Sequence, residues 1–164
     1  DRVYVRRFDY DFARIAPELD PKPAAYGANC GVGAPDLVLT IAQLSQAAAP
    51  GDIIIAKGNC GIPYYDEGNI RYNGTPELMA DYARLVREAG ARLVGGCCGT
   101  SPEHLAAIRK SLDTHQPGER PSVETIVERI GPLTSAIAAN LNAESPAGEG
   151  RRGRRRSAGS QPSF

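Results

Sequence analysis

The sequence has no net charge, no apolar run long enough to cross a bilayer and no CxxC pair, and each absence removes a class of function. Nineteen basic against nineteen acidic side chains do not make a protein whose whole surface attracts nucleic acid. That balance hides an asymmetry, because five arginines fall within Arg151–Arg156. Removing residues 140–164, with those five arginines and two glutamates, leaves 14 basic against 17 acidic side chains, a mildly acidic body with a basic tail. A run of like charges on such a tail is usually solvated, so no nucleic-acid partner is expected. The longest apolar run, around Ile53–Ala56, is strand-sized and far short of the roughly 20 residues of a membrane span. The opening DRVYVRRFDYDF lacks the apolar stretch of a secretory signal. The expected setting is therefore the cytoplasm, with no membrane partner. The chain starts on Asp1 instead of methionine, which raises the expectation of a missing N-terminal half; separately, an exposed edge on a sheet of few strands is expected to seek a partner, such a half or a second copy.

The length of 164 residues fits one domain with a sizeable core. Three segments are expected: a lead segment over 1–23, a β/α body over 24–139 and a disordered tail over 140–164. The lead holds a short helix around Asp9–Leu19 that ends at Pro21 and Pro23. Residues 24–30 read as a strand running into the glycine turn Gly31-Val32-Gly33, followed by a helix with Pro35 at its first position and Leu37, Leu39, Ile41 and Leu44 on one face. Ile53–Ala56 is a continuous β-branched run, the pattern of a strand buried on both faces. A polar loop over 57–74 then leads to a helix opened by Thr75-Pro76-Glu77. Residues 91–96 are a third strand, Ser101-Pro102-Glu103 opens a third helix, and a fourth is expected near Ser122–Ala139. From Asn140 the composition of Gly, Ser, Pro, Ala and Arg cannot bury a core. Three strand–loop–helix units in a row imply an α/β fold with parallel strands and right-handed crossovers.

This arrangement puts every cysteine at one edge. Cys30, Cys60, Cys97 and Cys98 all follow the C-terminal ends of strands, the side on which parallel α/β folds bind ligands. Four cysteines are few for a disulfide scaffold, and without an export signal they read as reduced thiols. Convergent thiolates suit zinc, and a catalytic zinc keeps one coordination position open. The competing reading is buried structural cysteine. The lack of CxxC spacing excludes a zinc ribbon or finger and argues against a thiol–disulfide oxidoreductase. Gly31-x-Gly33 lacks the third glycine of a dinucleotide loop. His104 lies a turn into its helix and is expected at the surface.

The stretches GANCGVGAPDL, AKGNCGIP, GTPELMADYA and GGCCGTSPEHL resemble the homocysteine S-methyltransferase family, closest to its betaine–homocysteine methyltransferase-like branch, over roughly residues 24–112. The resemblance implies that the chain is the C-terminal three β/α units of a (β/α)8 TIM barrel, a partial barrel carrying a terminal helix and the tail. It implies Zn2+ held by Cys30, Cys97 and Cys98. It further implies homocysteine as substrate, with methyl transfer from betaine or a similar small donor to the substrate thiolate, giving methionine. No side chain beyond the metal site is required as a catalytic group. Asn29, Asn59 and Gly96 are candidate substrate contacts, although loop chemistry explains the two asparagines equally well. Cys60 is held as a thiol beside the ligands, and Lys57 as a solvated cation. Since a whole barrel needs about 250 residues, the alternative is a non-catalytic zinc-binding scaffold derived from such a barrel.

Overall fold

The computed structural model describes residues 13–31 and 33–134. Expectations for residues 1–12 and 135–164, including the start of the lead helix, the end of the fourth helix and the disordered tail, lie outside the described residues. Residues 13–15 are helical and run into a 3-10 turn, Ala16–Glu18. Five strands follow: β1 (Tyr26–Cys30), β2 (Ile54–Gly58), β3 (Pro63–Asp66), β4 (Asn69–Tyr72) and β5 (Leu93–Gly96). Four α-helices lie wholly within the described residues: α1 (Ala34–Ala47), α2 (Pro76–Glu88), α3 (Pro102–Asp113) and α4 (Val123–Ile130). The fold is a mixed α/β structure in which β1, β2 and β5 form a parallel sheet in that spatial order.

The helices start where the sequence supplies caps. Thr75 accepts from the Leu78 amide at 3.2 Å and Ser122 from the Thr125 amide at 3.2 Å, each satisfying one of the donors that a helix start leaves open. Met79, Tyr82, Ala83 and Val86 are all buried on α2 at the i, i+3, i+4, i+7 spacing of a helix with one apolar face. On α1 the buried side chains include Leu37, Val38, Leu39, Ile41 and Leu44, with Asp36 also buried in the first turn. Asp36 accepts from the Thr134 amide at 3.0 Å and its hydroxyl at 2.9 Å, tying the far end of the described chain to the start of α1.

Register decides which face of the sheet is covered. Tyr26 pairs with Ile54, Ala28 with Ala56, and Ala56 with Val94; these side chains lie in or against the core. The intervening row, Gly27, Ile55 and Leu93, is exposed or half-buried, with Leu93 at 51% exposure. The β-branched run of β2 is thus buried on one face only, because the described helices pack on one side of the sheet. A second difference is the segment over 57–74. It is not a loop throughout: β3 and β4 form an antiparallel hairpin with Pro63 opposite Tyr72.

The turn before β2 is locked from below. The Tyr26 hydroxyl donates to the Asp52 carboxylate at 2.7 Å, the Ala49 amide donates to the same oxygen at 3.0 Å, and Lys22 lies 3.5 Å from the other oxygen. Burial, and then the bond to Asp52, push the Tyr26 phenol up to about 12. The Tyr26 hydroxyl is the main cause that holds the Asp52 carboxyl below its ordinary 3.8. A depressed carboxylate stabilises the fold above its unfolded value and loses that contribution as pH falls through its folded value. Tyr26→Phe should therefore lower the urea midpoint more at pH 7 than at pH 2. Equal losses at the two pH values would refute this assignment.

Candidate metal centre

Parallel pairing brings Cys30, Gly58 and Gly96 into one row across the ends of β1, β2 and β5. Beyond that row the chain turns sharply. Cys30 has φ 63 and Gly31 φ 84, a left-handed pair that only glycine adopts without cost. Strained backbone of this kind is concentrated at functional sites. On the other side, the Cys97 amide donates to the Gly58 carbonyl at 2.7 Å, and the Cys60 amide to the Cys98 carbonyl at 2.9 Å. The Cys97–Cys98 peptide is thereby fastened to the end of β2 at two points, opposite Cys30.

The sulfurs converge. Cys30 Sγ lies 3.6 Å from Cys98 Sγ, and Cys97 Sγ lies 3.9 Å from Cys98 Sγ. All three sulfurs fall within 4.8 Å of one another, the one such group of metal-ligating side chains among the described residues. A tetrahedral zinc with sulfurs at about 2.3 Å needs them about 3.8 Å apart, so the spacing fits that ion. Cys30 and Cys97 are half-buried while Cys98 is exposed, which leaves one side of the cluster open. The thiols differ electrostatically. The hydrogen bond with Cys98, followed by burial, holds the Cys30 thiol above its ordinary value. Burial pushes Cys97 up, but hydrogen bonds from Cys98, Asn29 and Cys30 outweigh it and leave this thiol below its ordinary value.

The other residues singled out in the sequence take distinct places. Asn29 is exposed and donates from Nδ2 to Cys97 Sγ at 3.9 Å. Asn59 is buried at 2% exposure; its Nδ2 donates to the Gly31 carbonyl at 2.9 Å, bracing the turn after Cys30, while its Oδ1 is buried without a hydrogen-bond partner. Gly96 lies against the Thr100 side chain, which fills the space a Cβ would need. Cys60, at 1% exposure, is not one of the three converging thiols; burial raises its thiol above the ordinary value, and it packs against Gly74. His104 is half-buried, not a surface residue, because its Nδ1 accepts from the Ser101 amide at 3.1 Å in a capping box at the start of α3. Lys57 is exposed, as expected.

One rim residue escaped the sequence reading. Tyr72, at the end of the β3–β4 hairpin, lays its ring over Gly99, the residue after Cys98, whose φ of 76 and lack of a Cβ make room for it. The neighbouring Cys98 side chain, and then burial, hold its phenol above the ordinary value.

Comparison with known proteins gives a matching picture. The family model described as homocysteine S-methyltransferase matches residues 10–112. The chain is 33% identical over 116 residues to a protein named methionine synthase from Mycobacterium leprae (strain TN). The match takes in 63% of this chain but only 9% of that relative, so the chain spans under a tenth of the relative's length.

Proposed function

Because the chain belongs to the homocysteine S-methyltransferase family, we propose that it carries the zinc-binding rim of a homocysteine methyltransferase. In this reading, residues 24–139 are the last three β/α units of a (β/α)8 barrel, and the uncovered row Gly27, Ile55 and Leu93 faces the barrel interior. The lead over 1–23 and the tail over 140–164 stand outside that body. Cys30, Cys97 and Cys98 hold the ion. When bound, zinc supplies the Lewis acidity that favours the thiolate form of a thiol substrate at neutral pH. The chain's own groups set the geometry. Two thiols from β5 and one from β1 fix the ligand positions, Asn29 steadies Cys97, and the open side beyond Cys98 admits the substrate. Asn59 Oδ1 offers an acceptor to an incoming amino acid, and Gly96 keeps the backbone at the rim clear of side-chain bulk. Homocysteine sulfur then attacks the methyl carbon of betaine or a similar small donor. The bond from carbon to the donor breaks, its electron pair leaves with the donor, and methionine is formed. A cytoplasmic setting suits the reduced thiols.

The observation that carries this reading is the convergence of three sulfurs within 4.8 Å of one another, two of the pairs at 3.6 and 3.9 Å. Purified chain should retain about one equivalent of zinc, and Cys97→Ala should lose it; near-zero metal in the unmodified chain would overturn the site. Homocysteine methylation assayed with betaine, S-methylmethionine and a folate donor in turn tests the reaction. The half-exposed Leu93 on the uncovered sheet face favours a second reading for the chain in isolation, a non-catalytic zinc-binding scaffold. Zinc retention with no turnover on any donor would support that second reading.

A further inference from the structure

We infer that His104 is a positioning residue of the thiol centre: its imidazole closes a circuit of hydrogen bonds that fixes the Cys97–Cys98 turn against the segment after β2 and the base of the β3–β4 hairpin. This rests on the zinc reading above. The circuit runs link by link. The Cys60 amide donates to the Cys98 carbonyl at 2.9 Å, and the Gly74 amide donates to the Cys60 carbonyl at 3.0 Å. The Gly74 carbonyl lies 3.4 Å from His104 Nε2, and His104 Nδ1 accepts from the Ser101 amide at 3.1 Å. Ser101 stands three residues beyond Cys98, so the chain itself completes the loop. Every other member of the circuit is backbone.

A backbone amide only donates and a carbonyl only accepts, so one form of the ring serves both ends: neutral imidazole with its hydrogen on Nε2. The parts it joins are closely seated. A Cβ on Gly74 would come within 2.5 Å of the Cys60 carbonyl carbon, so the hairpin base lies directly on Cys60. The Thr100 amide donates to the Cys97 carbonyl at 3.2 Å, closing the turn between the thiols and the start of α3. His104 is not one of the three converging ligands; it acts on them through this backbone, as the outer hydrogen bonds of a metal site do. The cap alone would not call for histidine, because Glu or Gln at that position accepts from the same amide. What histidine adds is the donor to Gly74, which Gln also carries and Glu lacks.

His104→Glu therefore keeps the cap and breaks the circuit, while His104→Gln offers both links, so the pair separates positioning from helix capping. Zinc affinity would be measured by chelator competition alongside far-UV circular dichroism, and the 15N shifts of the His104 ring would be read in the metal-free unmodified chain. The expected result is the Nε2–H tautomer, native helix content in both variants, a zinc affinity about 10- to 100-fold weaker in His104→Glu and most of that loss restored in His104→Gln. An Nδ1–H tautomer, a Glu variant that binds zinc like the unmodified chain, or a Gln variant as weak as the Glu variant would overturn the assignment while leaving the zinc reading standing. A Glu variant that loses its helix content would also overturn it, since the imidazole would then be a determinant of the fold and not of the site. An unmodified chain that binds no zinc would remove the zinc reading and this inference together.

Discussion

Replacing Cys30 with serine should weaken zinc binding by more than about 100-fold, beyond the range seen when only the surroundings of a ligand are altered, and should leave the fold intact. Cys30 is the informative position because it alone links the cluster to β1; Cys97 and Cys98 both follow β5. Its Sγ lies 3.6 Å from Cys98, and a hydroxyl there does not ionise near neutral pH, so the site loses an anionic ligand. Little packing is lost, since Cys30 is only half-buried. Cys60→Ser supplies the contrast. That thiol is 1% exposed and packs against Gly74. A buried hydroxyl in its place costs about 1–3 kcal/mol unless it finds a partner, while zinc binding should persist. Chelator competition and thermal denaturation on both variants give the answer. If Cys60→Ser released the metal and Cys30→Ser retained it, the ligand set would have to be redrawn.

The thiol rim was legible in the sequence because two independent patterns agree on it. The alternation of β-branched runs with capped helices fixes parallel strands, and the cysteines follow three of those strands. Proximity across 67 residues then follows from register, with Cys30 level with Gly58 and Gly58 with Gly96. The hairpin was harder to read. Pro63 and the charged residues Asp66, Glu67 and Arg71 resemble loop chemistry, and proline is a poor strand residue. A signal was nevertheless present: Tyr64-Tyr65 and Ile70-Arg71-Tyr72 flank Glu67-Gly68, a two-residue turn ending in glycine. The structure shows φ of 44 and 86 at those two positions, the positive pair a tight hairpin turn requires. Glutamate in place of asparagine or aspartate hid it. The uncovered sheet face was illegible for a different reason. A continuous apolar run reports that both faces of a strand avoid water, but it cannot say which of them the described helices cover.

The largest loss of stability is expected from Tyr82→Ala. Tyr82 is fully buried on α2, and its ring lies against Gly58 at the end of β2, where a Cβ would come within 2.8 Å of Cζ. Truncating a buried aromatic costs about 3–5 kcal/mol through lost transfer energy and the cavity left behind, a large share of the roughly 5–15 kcal/mol that holds a domain together. The effect should reach the thiols, because the Gly58 carbonyl accepts the Cys97 amide at 2.7 Å. A β2 end that has lost its backing no longer fixes Cys97 opposite Cys30. Gly58→Ala approaches the same contact from the other side and should cost about 1–3 kcal/mol by overpacking. Combined with Tyr82→Ala, most of that penalty should vanish, since the added methyl then fills vacated space, giving a coupling of about 0.5–3 kcal/mol. Urea unfolding of the metal-free chain at constant m-value measures all four states. Strict additivity, or a Tyr82→Ala cost within about 0.5 kcal/mol of zero, would show that this ring does not hold the strand end beneath the site.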